Sequence, residues 1–211
     1  MSFELWFAFA LASTALLAVP GPTVMLVVSY ALNRGRVSGW ATVPGVALGD
    51  FTAMTLSLLG AGAILAASAA MFTALKLAGA AYLVWLGIRM WRASSNTPTP
   101  PGRAAGAAPG GWFRMFANAY IVTALNPKGI VFFVAFVPQF VDVAQPLWPQ
   151  FIILEATFLT LAAVNIVIWA VLAGEMRTRF HSPPMLRRLN RIGAGFLVGA
   201  GFVTALVRPG G

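Results

Sequence analysis

The sequence contains no cysteine, a single histidine and few charged residues. Without cysteine, the chain has no disulfide bonds, thiolate metal sites or thiol redox chemistry. One histidine, His181, argues against a histidine-rich metal transporter. Charged residues make up 9% of the chain, compared with about 25% in soluble domains. We therefore expect an integral membrane protein with no cofactor and no bound metal.

Apolar residues are abundant instead, at 59% of the 211 residues, with a mean hydropathy of +0.83. Six apolar segments stand out, and each is near the roughly 20 residues that a helix needs to cross a bilayer. They cover residues 5–32, 39–66, 70–91, 115–140, 147–174 and 192–207. No segment has the alternating pattern of a transmembrane β-barrel. The sequence thus predicts an all-α membrane protein with six transmembrane helices.

Basic residues are concentrated in three of the predicted loops. The loops after the first, third and fifth segments hold 11 of the 14 lysines and arginines: Arg34, Arg36, Arg89, Arg92, Arg103, Arg114, Arg177, Arg179, Arg187, Arg188 and Arg191. Because basic loops stay in the cytoplasm, we expect these three loops inside and both termini outside. The net charge of +9 therefore indicates membrane orientation rather than nucleic-acid binding.

Two proline-containing breaks interrupt the first and fourth segments. They are Pro20-Gly21-Pro22 and Asn126-Pro127-Lys128. Proline removes a backbone donor and ends a helix. In hydrocarbon, a broken helix is tolerated where protein or a water-filled cavity satisfies the freed backbone groups. Transporters place substrates and coupling ions at such breaks, so we expect the two breaks to face each other and form the working site.

The chain divides into two halves of three predicted helices each. Residues 94–111 are rich in proline, glycine, alanine and serine, which predicts a flexible cytoplasmic linker between residues 1–93 and 112–211. The third segment contains GAAYLVWLGI and the sixth contains GAGFLVGAGF, which share five identical positions. Because each half has three spans, the second half must cross the membrane in the opposite direction to the first. The sequence thus predicts two inverted three-helix repeats, with broken helices 1 and 4.

The acidic residues within the spans occupy corresponding positions in the two halves. Asp50 lies 28 residues after Pro22, and Glu155 lies 28 residues after Pro127. Charge near the bilayer centre is costly, so both are candidate proton-coupling residues. Asp50 is a proton carrier or a counter-ion for a substrate ammonium; the alternative is a structural ion pair with Lys128. Glu155 is a second proton site or an access-path residue, or is simply solvated.

The breaks also offer groups that suit an amino acid. Lys128 is a candidate partner for the substrate carboxylate or for an intramembrane acid, and its alternative is a side chain extending to the interface. A helix starting after Pro22 would present free N–H groups to a carboxylate. Asn126 would cap the helix beginning at Pro127. The freed carbonyls would hold an ammonium, although the breaks could also be kinks that only shape packing. The candidate substrate-binding residues are Pro20, Gly21, Pro22, Thr23, Asn126, Pro127 and Lys128.

Other residues within the spans are interpreted as packing residues. Gly45, Gly49, Gly60 and Gly79 are expected to let helices approach closely. Such packing allows a homodimer without requiring one. The amides Asn118 and Asn165 are interpreted as interhelical hydrogen-bond partners rather than ligands.

The motifs resemble those of the LysE/RhtB amino-acid exporters. The resemblance rests on Pro20-Gly21-Pro22, on GVALGD ending at Asp50, on GAAYL beginning at Gly79 and on NPKGIVFFVAFVPQF beginning at Asn126. It covers nearly the whole chain apart from the linker and the last residues. The resemblance implies a bacterial inner-membrane exporter that uses the proton-motive force, closest to the branch for homoserine and threonine. The motif positions that carry over are Pro20, Gly21, Pro22, Asp50, Asn126, Pro127 and Lys128.

We therefore expect a secondary exporter of small, neutral amino acids, driven by proton antiport. A metal-ion or other small-cation exporter is the main alternative, although two intramembrane carboxylates are few ligands. A membrane-embedded enzyme would need an acid–base pair such as Asp50 and Lys128, but the spans contain no histidine or nucleophile motif, so we expect no enzyme. A structural membrane protein would not need these two charges at depth.

Overall fold

The computed structural model describes residues 1–93, 111–142 and 144–175, together with Gly195, Val198, Gly199 and Phe202. The helices are α1 (Phe3–Ala18), α2 (Pro22–Arg34), α3 (Gly39–Ala67), α4 (Ala69–Ala93), α5 (Trp112–Ala124), α6 (Pro127–Val131) and α7 (Leu147–Glu175). A 3-10 turn over Arg36–Ser38 precedes α3. After α6 the chain continues through a π-helical turn, Phe132–Phe136, and a 3-10 turn, Val137–Phe140.

Both predicted breaks are present, and each lies between two helices. The α1–α2 pair is bent by 53°, and the pair formed by α5 and residues 127–140 is bent by 41°. Pro22 and Pro127 are the first residues of α2 and α6, where a missing N–H costs no helical hydrogen bond. The side chain of Asn126 caps α6, as predicted, by accepting a hydrogen bond from the Lys128 N–H at 3.1 Å.

Among the described residues, α3 and α7 are each long and apolar enough to cross a membrane, and each bent pair would add one span if it is counted as one. The structure therefore gives between two and four candidate spans. The bounds of α3 and α7 agree with the predicted segments 39–66 and 147–174 to within a residue. The linker 94–111 except Gly111, the basic loop after α7 and most of the segment 192–207 lie outside the described residues.

Helix α3 is the central packing element, and α5 and α7 both contact it. Its glycines permit a very close approach to α5. A Cβ atom on Gly45 would lie 2.5 Å from the Phe116 carbonyl oxygen, and one on Gly49 would lie 2.8 Å from the Thr123 Cβ. The predicted packing role is confirmed for these two residues. For Gly60, an added Cβ would meet nothing within 4 Å among the described residues, so no close approach is seen there.

A cluster of phenylalanines fixes the π-helical turn against α7. The Phe133 and Phe158 rings meet edge to face with centroids 4.8 Å apart, and Phe132 stacks on Phe136 at 4.9 Å. Phe132, Phe133 and Phe158 are almost completely buried. Edge-to-face and offset contacts add to the stabilisation that burial provides. The cluster therefore holds α7 in register with the chain that follows the second break.

Candidate functional site

A small cavity lies where the two breaks meet. Its volume is about 40 Å³, measured over the positions that the centre of a water molecule can occupy, which is room for roughly three waters. Residues of α1, α2, α3, α6 and α7 and of both breaks line it. The polar side chains in its wall are Thr23, Asp50, Asn126, Lys128 and Asn165. Of the predicted substrate-binding residues, Gly21, Thr23, Asn126 and Lys128 line the cavity, and the prolines lie beside it.

The ammonium group of Lys128 bonds to the carboxyl end of α1. It donates hydrogen bonds to the carbonyl oxygens of Leu16, at 2.9 Å, and Val19, at 2.8 Å. The Val19 oxygen is freed by the break, whereas the Leu16 oxygen also accepts a hydrogen bond of 3.2 Å from the Val19 N–H. Both oxygens lie at the negative end of the α1 dipole. The sequence predicted that carbonyls of this kind would hold an ammonium. In this structure the ammonium is that of Lys128 itself.

Asp50 is the one acidic residue in the cavity wall within the described part of the chain. It lies on α3, is buried with 8% of its surface exposed, and shares the cavity wall with Lys128. Among the described residues no ion pair joins the two side chains within 4 Å, and the Lys128 hydrogen bonds go to backbone carbonyls. The ion-pair alternative for Asp50 is therefore not seen here.

Glu155 lies outside this cavity. It is partly buried on α7, and its Oε1 accepts a hydrogen bond of 2.6 Å from the Thr55 hydroxyl group of α3. This contact joins α3 to α7 outside the cavity wall. The structure thus brings Asp50 to the breaks and does not bring Glu155 there.

Polar side chains connect the two breaks directly. The Asn126 amide donates a hydrogen bond of 3.3 Å to the Thr23 hydroxyl, and the Thr123 hydroxyl donates another of 3.3 Å to the same oxygen. The first helical hydrogen bond of α2 is made by the Met25 N–H, which donates to the Gly21 carbonyl. The N–H groups of Thr23 and Val24, in the first turn, have no helical acceptor. They form the N-terminal end of α2 beside the cavity.

Asn165 is a cavity residue that the sequence analysis interpreted as a packing residue. Its Oδ1 atom is fully enclosed and has no hydrogen-bond partner. The interhelical interpretation is therefore wrong for this oxygen. It is right for Asn118, whose amide donates to the Tyr30 hydroxyl at 2.7 Å. The sequence signal for such a cavity residue is an amide within an apolar helix, but the sequence alone does not show which amide lacks a partner.

No metal-binding cluster is found in the parts of the chain that the structure describes, where no three Asp, Glu or His side chains are grouped closely enough to hold an ion. The polar groups that do converge are one carboxylate, one ammonium, two amides, a hydroxyl and a helix N-terminus. Such a set complements a small molecule with both a positive and a negative group.

Comparison with known proteins gives a consistent picture. Residues 14–207 match the LysE type translocator family. An uncharacterized membrane protein of Vibrio cholerae is 32% identical over 210 residues, covering 99% of this chain and all of that protein. The homoserine/homoserine lactone efflux protein of Salmonella typhimurium is 36% identical, covering 95% of this chain and 96% of that protein.

A more distant relative is the leucine efflux protein of Salmonella choleraesuis, 28% identical over 198 residues, covering 94% of this chain and 91% of that protein. No solved structure matches the chain. The family match covers most of the sequence and includes both breaks and every polar residue of the cavity. The chain therefore belongs to the LysE type translocator family, whose members are membrane transporters and not enzymes.

Proposed function

We propose that this protein exports small, neutral amino acids through the bacterial inner membrane and that proton antiport drives the export. The observation that carries the proposal is the convergence of Asp50, Lys128 and the N-terminal end of α2 on one cavity. These groups complement the two charges that every amino acid carries. The names of the relatives, which refer to homoserine and leucine efflux, support an amino-acid substrate.

The substrate carboxylate binds at the start of α2. The free N–H groups of Thr23 and Val24 and the positive end of the helix dipole favour an anion there. The Lys128 ammonium is also close, since its Nζ lies 3.6 Å from the position of a Cβ on Gly21. Gly21 has no side chain, so this approach to the α2 backbone stays open.

The substrate ammonium binds at Asp50, and a proton competes with it for the same carboxylate. A site that holds either the ammonium or a proton, but not both, links outward movement of substrate to inward movement of protons. Glu155 is the second candidate for proton transfer, by way of its contact with Thr55. We rank it below Asp50 because it does not line the cavity.

The cavity must widen before an amino acid can enter, because it has room for roughly three waters. The contacts that close it are those of Lys128 with the Leu16 and Val19 carbonyls. A substrate carboxylate offers Lys128 a charged acceptor in place of two neutral ones, and charged acceptors form the stronger hydrogen bonds. Substrate binding would thus release the end of α1 and allow it to move.

We propose for the whole chain six spans, arranged as two inverted halves over residues 1–93 and 112–211, with both termini outside. The matched positions of Pro22 and Pro127 at helix starts support this arrangement. Alternating access would then arise from rocking of one half against the other around the cavity.

Counterflow in proteoliposomes tests the function. Vesicles are loaded with unlabelled amino acids and a pH-sensitive dye, and uptake of each labelled amino acid is followed. We expect exchange of small neutral amino acids, a change of lumenal pH that accompanies net flux, and no flux with Lys128→Gln. Folded wild-type protein that exchanges no amino acid would overturn the proposal. Flux of a divalent cation in the same vesicles would favour the cation-exporter alternative.

A further inference from the structure

Two clusters of buried apolar side chains lie next to the breaks and differ in size. The α1 cluster has twelve buried members among the described residues, and five of them are phenylalanines: Phe9, Phe132, Phe133, Phe136 and Phe158. The α2 cluster has six, none of which has a ring: Val24, Val27, Val46, Ala119, Ile166 and Ala170. Separating packed apolar surfaces costs free energy in proportion to the area that water then reaches. The α2 cluster is therefore the easier of the two to open.

The cavity lies between these two clusters. Helix α3 leaves the α2 cluster after Val46, passes the cavity at Asp50 and enters the α1 cluster at Ala53. Helix α7 runs the other way, with Ala162 in the α1 cluster and Ile166 in the α2 cluster, and both of these residues line the cavity. The α2 cluster thus covers one end of the cavity, and the α1 cluster covers the other.

A hydrogen bond between side chains joins α2 to α5 beside the α2 cluster. The Asn118 amide donates to the Tyr30 hydroxyl at 2.7 Å, and both side chains are partly buried. Tyr30 follows Val27 by three residues and Asn118 directly precedes Ala119, so the bond lies within one helical turn of two cluster members. Separation of α2 from α5 must break this bond.

Helix α2 has a joint at each end. It begins at the first break, and it ends at Gly35, whose φ of 78° is one that residues other than glycine rarely adopt. The next residue, Arg36, is packed against the end of α7, where a Cβ on Gly174 would lie 2.6 Å from the Arg36 backbone nitrogen. Hinges are commonly a few residues at the end of an element. Rotation about Gly35 would therefore move α2 away from α5 and leave the Arg36 turn in place.

We propose that α2 is the gate that opens the cavity to one side of the membrane, and that the Tyr30–Asn118 hydrogen bond is its latch. Arg34 and Arg36 lie at the end of α2, and Arg114 lies in the first turn of α5. Basic residues mark the cytoplasmic side. The direction of the gate rests on the orientation in the proposed function, in which this gate is the cytoplasmic entrance for the substrate.

Labelling of a single introduced cysteine tests the gate, because the native chain has none. Val27 is completely buried in the α2 cluster, so Val27→Cys should react with a membrane-impermeant maleimide only when the gate opens. In membrane vesicles with the cytoplasmic face outward, we expect slow labelling that Tyr30→Phe accelerates about three- to tenfold. Loss of one hydrogen bond shifts an opening equilibrium by about this factor. Where Val27→Cys does not reach the membrane, Ala119→Cys on α5 carries the same expectation.

Matched variants separate the latch from a general loosening of the fold. Asn118→Ala should accelerate labelling by a similar factor, and its combination with Tyr30→Phe should add little, because both changes break the same bond. Tyr82→Phe removes a hydroxyl from α4, away from the described members of both clusters, and should leave the rate unchanged. Leu154→Cys, which is buried in the α1 cluster, should label slowly with or without Tyr30→Phe.

A bridge across the gate tests its part in transport. A chain with Tyr30→Cys and Asn118→Cys is treated with a short, reducible bis-maleimide that joins α2 to α5. We expect counterflow of amino acids to stop in the bridged protein and to return when the linker is reduced. Counterflow that persists in fully bridged protein would overturn the gate.

The labelling outcomes are independent of any transported substrate. An unchanged rate in Tyr30→Phe, or an equal acceleration at Val27→Cys and Leu154→Cys, would also overturn the gate. Acceleration from the opposite face of the membrane alone would support the gate but overturn the proposed orientation. Folded wild-type protein that exchanges no amino acid would overturn the proposed function, and the labelling rates would still decide for or against the gate.

Discussion

The Lys128 ammonium donates a 2.8 Å hydrogen bond to the Val19 carbonyl. Lys128 lies on α6, just after the second break, and Val19 lies at the start of the first break. The second half of the chain therefore holds the end of α1 from the first half. Because the carbonyl is one that a continuous helix would use internally, this contact depends on the break. The same lysine is then both a structural tie and a candidate substrate ligand, and a variant must affect both properties.

Lys128→Gln should reduce stability as well as transport. Glutamine is shorter and uncharged, so it loses the two charged hydrogen bonds to the Leu16 and Val19 oxygens, and a hydrogen bond from a charged donor contributes about 1.5–3 kcal/mol. We expect a lower thermal midpoint of the protein in detergent, together with loss of counterflow. An unchanged midpoint would show that the two hydrogen bonds do not stabilise the fold. Lys128→Arg, which keeps the charge and the donors, should recover stability more than transport.

Gly21→Ala should be tolerated despite the position of Gly21 between two prolines. Its φ of −107° and ψ of −169° are open to any residue. A Cβ would lie 3.6 Å from the nearest Lys128 side-chain atoms, an ordinary contact distance. We expect a thermal midpoint close to that of the wild-type protein and measurable counterflow. A larger side chain, as in Gly21→Leu, should fill the approach to α2 and stop transport while the protein still folds.

Two glycines of α3 form a matched pair for testing helix packing. Gly45→Ala forces a Cβ to within 2.5 Å of the Phe116 carbonyl oxygen, whereas Gly60→Ala meets nothing within 4 Å in the part of the chain that the structure describes. Overpacking of this kind costs roughly 1–3 kcal/mol. We expect Gly45→Ala to lower the thermal midpoint and Gly60→Ala to leave it unchanged or raise it. Equal midpoints would contradict the close α3–α5 contact.

The two intramembrane acids should differ in their effect on coupling. Asp50→Asn removes the carboxylate for which, in the proposed function, ammonium and proton compete, so we expect flux that no longer responds to a pH gradient, or no flux. Glu155→Gln keeps an acceptor for the Thr55 hydroxyl and should keep flux that responds to the gradient. Counterflow measured with and without an imposed gradient distinguishes these results. Loss of the response in Glu155→Gln alone would reverse our ranking of the two acids.

Local sequence signals predict the helices and the breaks well. Proline at the first position of a helix and asparagine before it act within a few residues, so Pro127 and Asn126 could be assigned from the sequence. Long apolar runs likewise define α3 and α7. The predicted roles of Gly45 and Gly49 hold because small residues in membrane helices commonly mark close contacts.

The site itself depends on contacts between residues far apart in the chain. The partner of Lys128 could not be predicted, because Leu16 and Val19 precede it by more than 100 residues and backbone carbonyls carry no sequence signature. Asn165 and Asn118 look alike in the sequence, yet the Asn165 Oδ1 atom has no partner, whereas the Asn118 amide donates to Tyr30. The spacing that relates Glu155 to Asp50 does not place both acids in one cavity.

The contact of α3 with α5 has a consequence for biogenesis. Helix α3 is synthesised before α5 and α7, so during synthesis the face that carries Gly45, Gly49 and Asp50 has no protein partner from the second half. Domains generally fold as units, the N-terminal one first, but here the first half cannot complete its packing until the second half has been inserted. The first half therefore reaches its final packing late in synthesis. Chains truncated before α5 should be degraded by membrane quality control rather than persist as a stable half-protein.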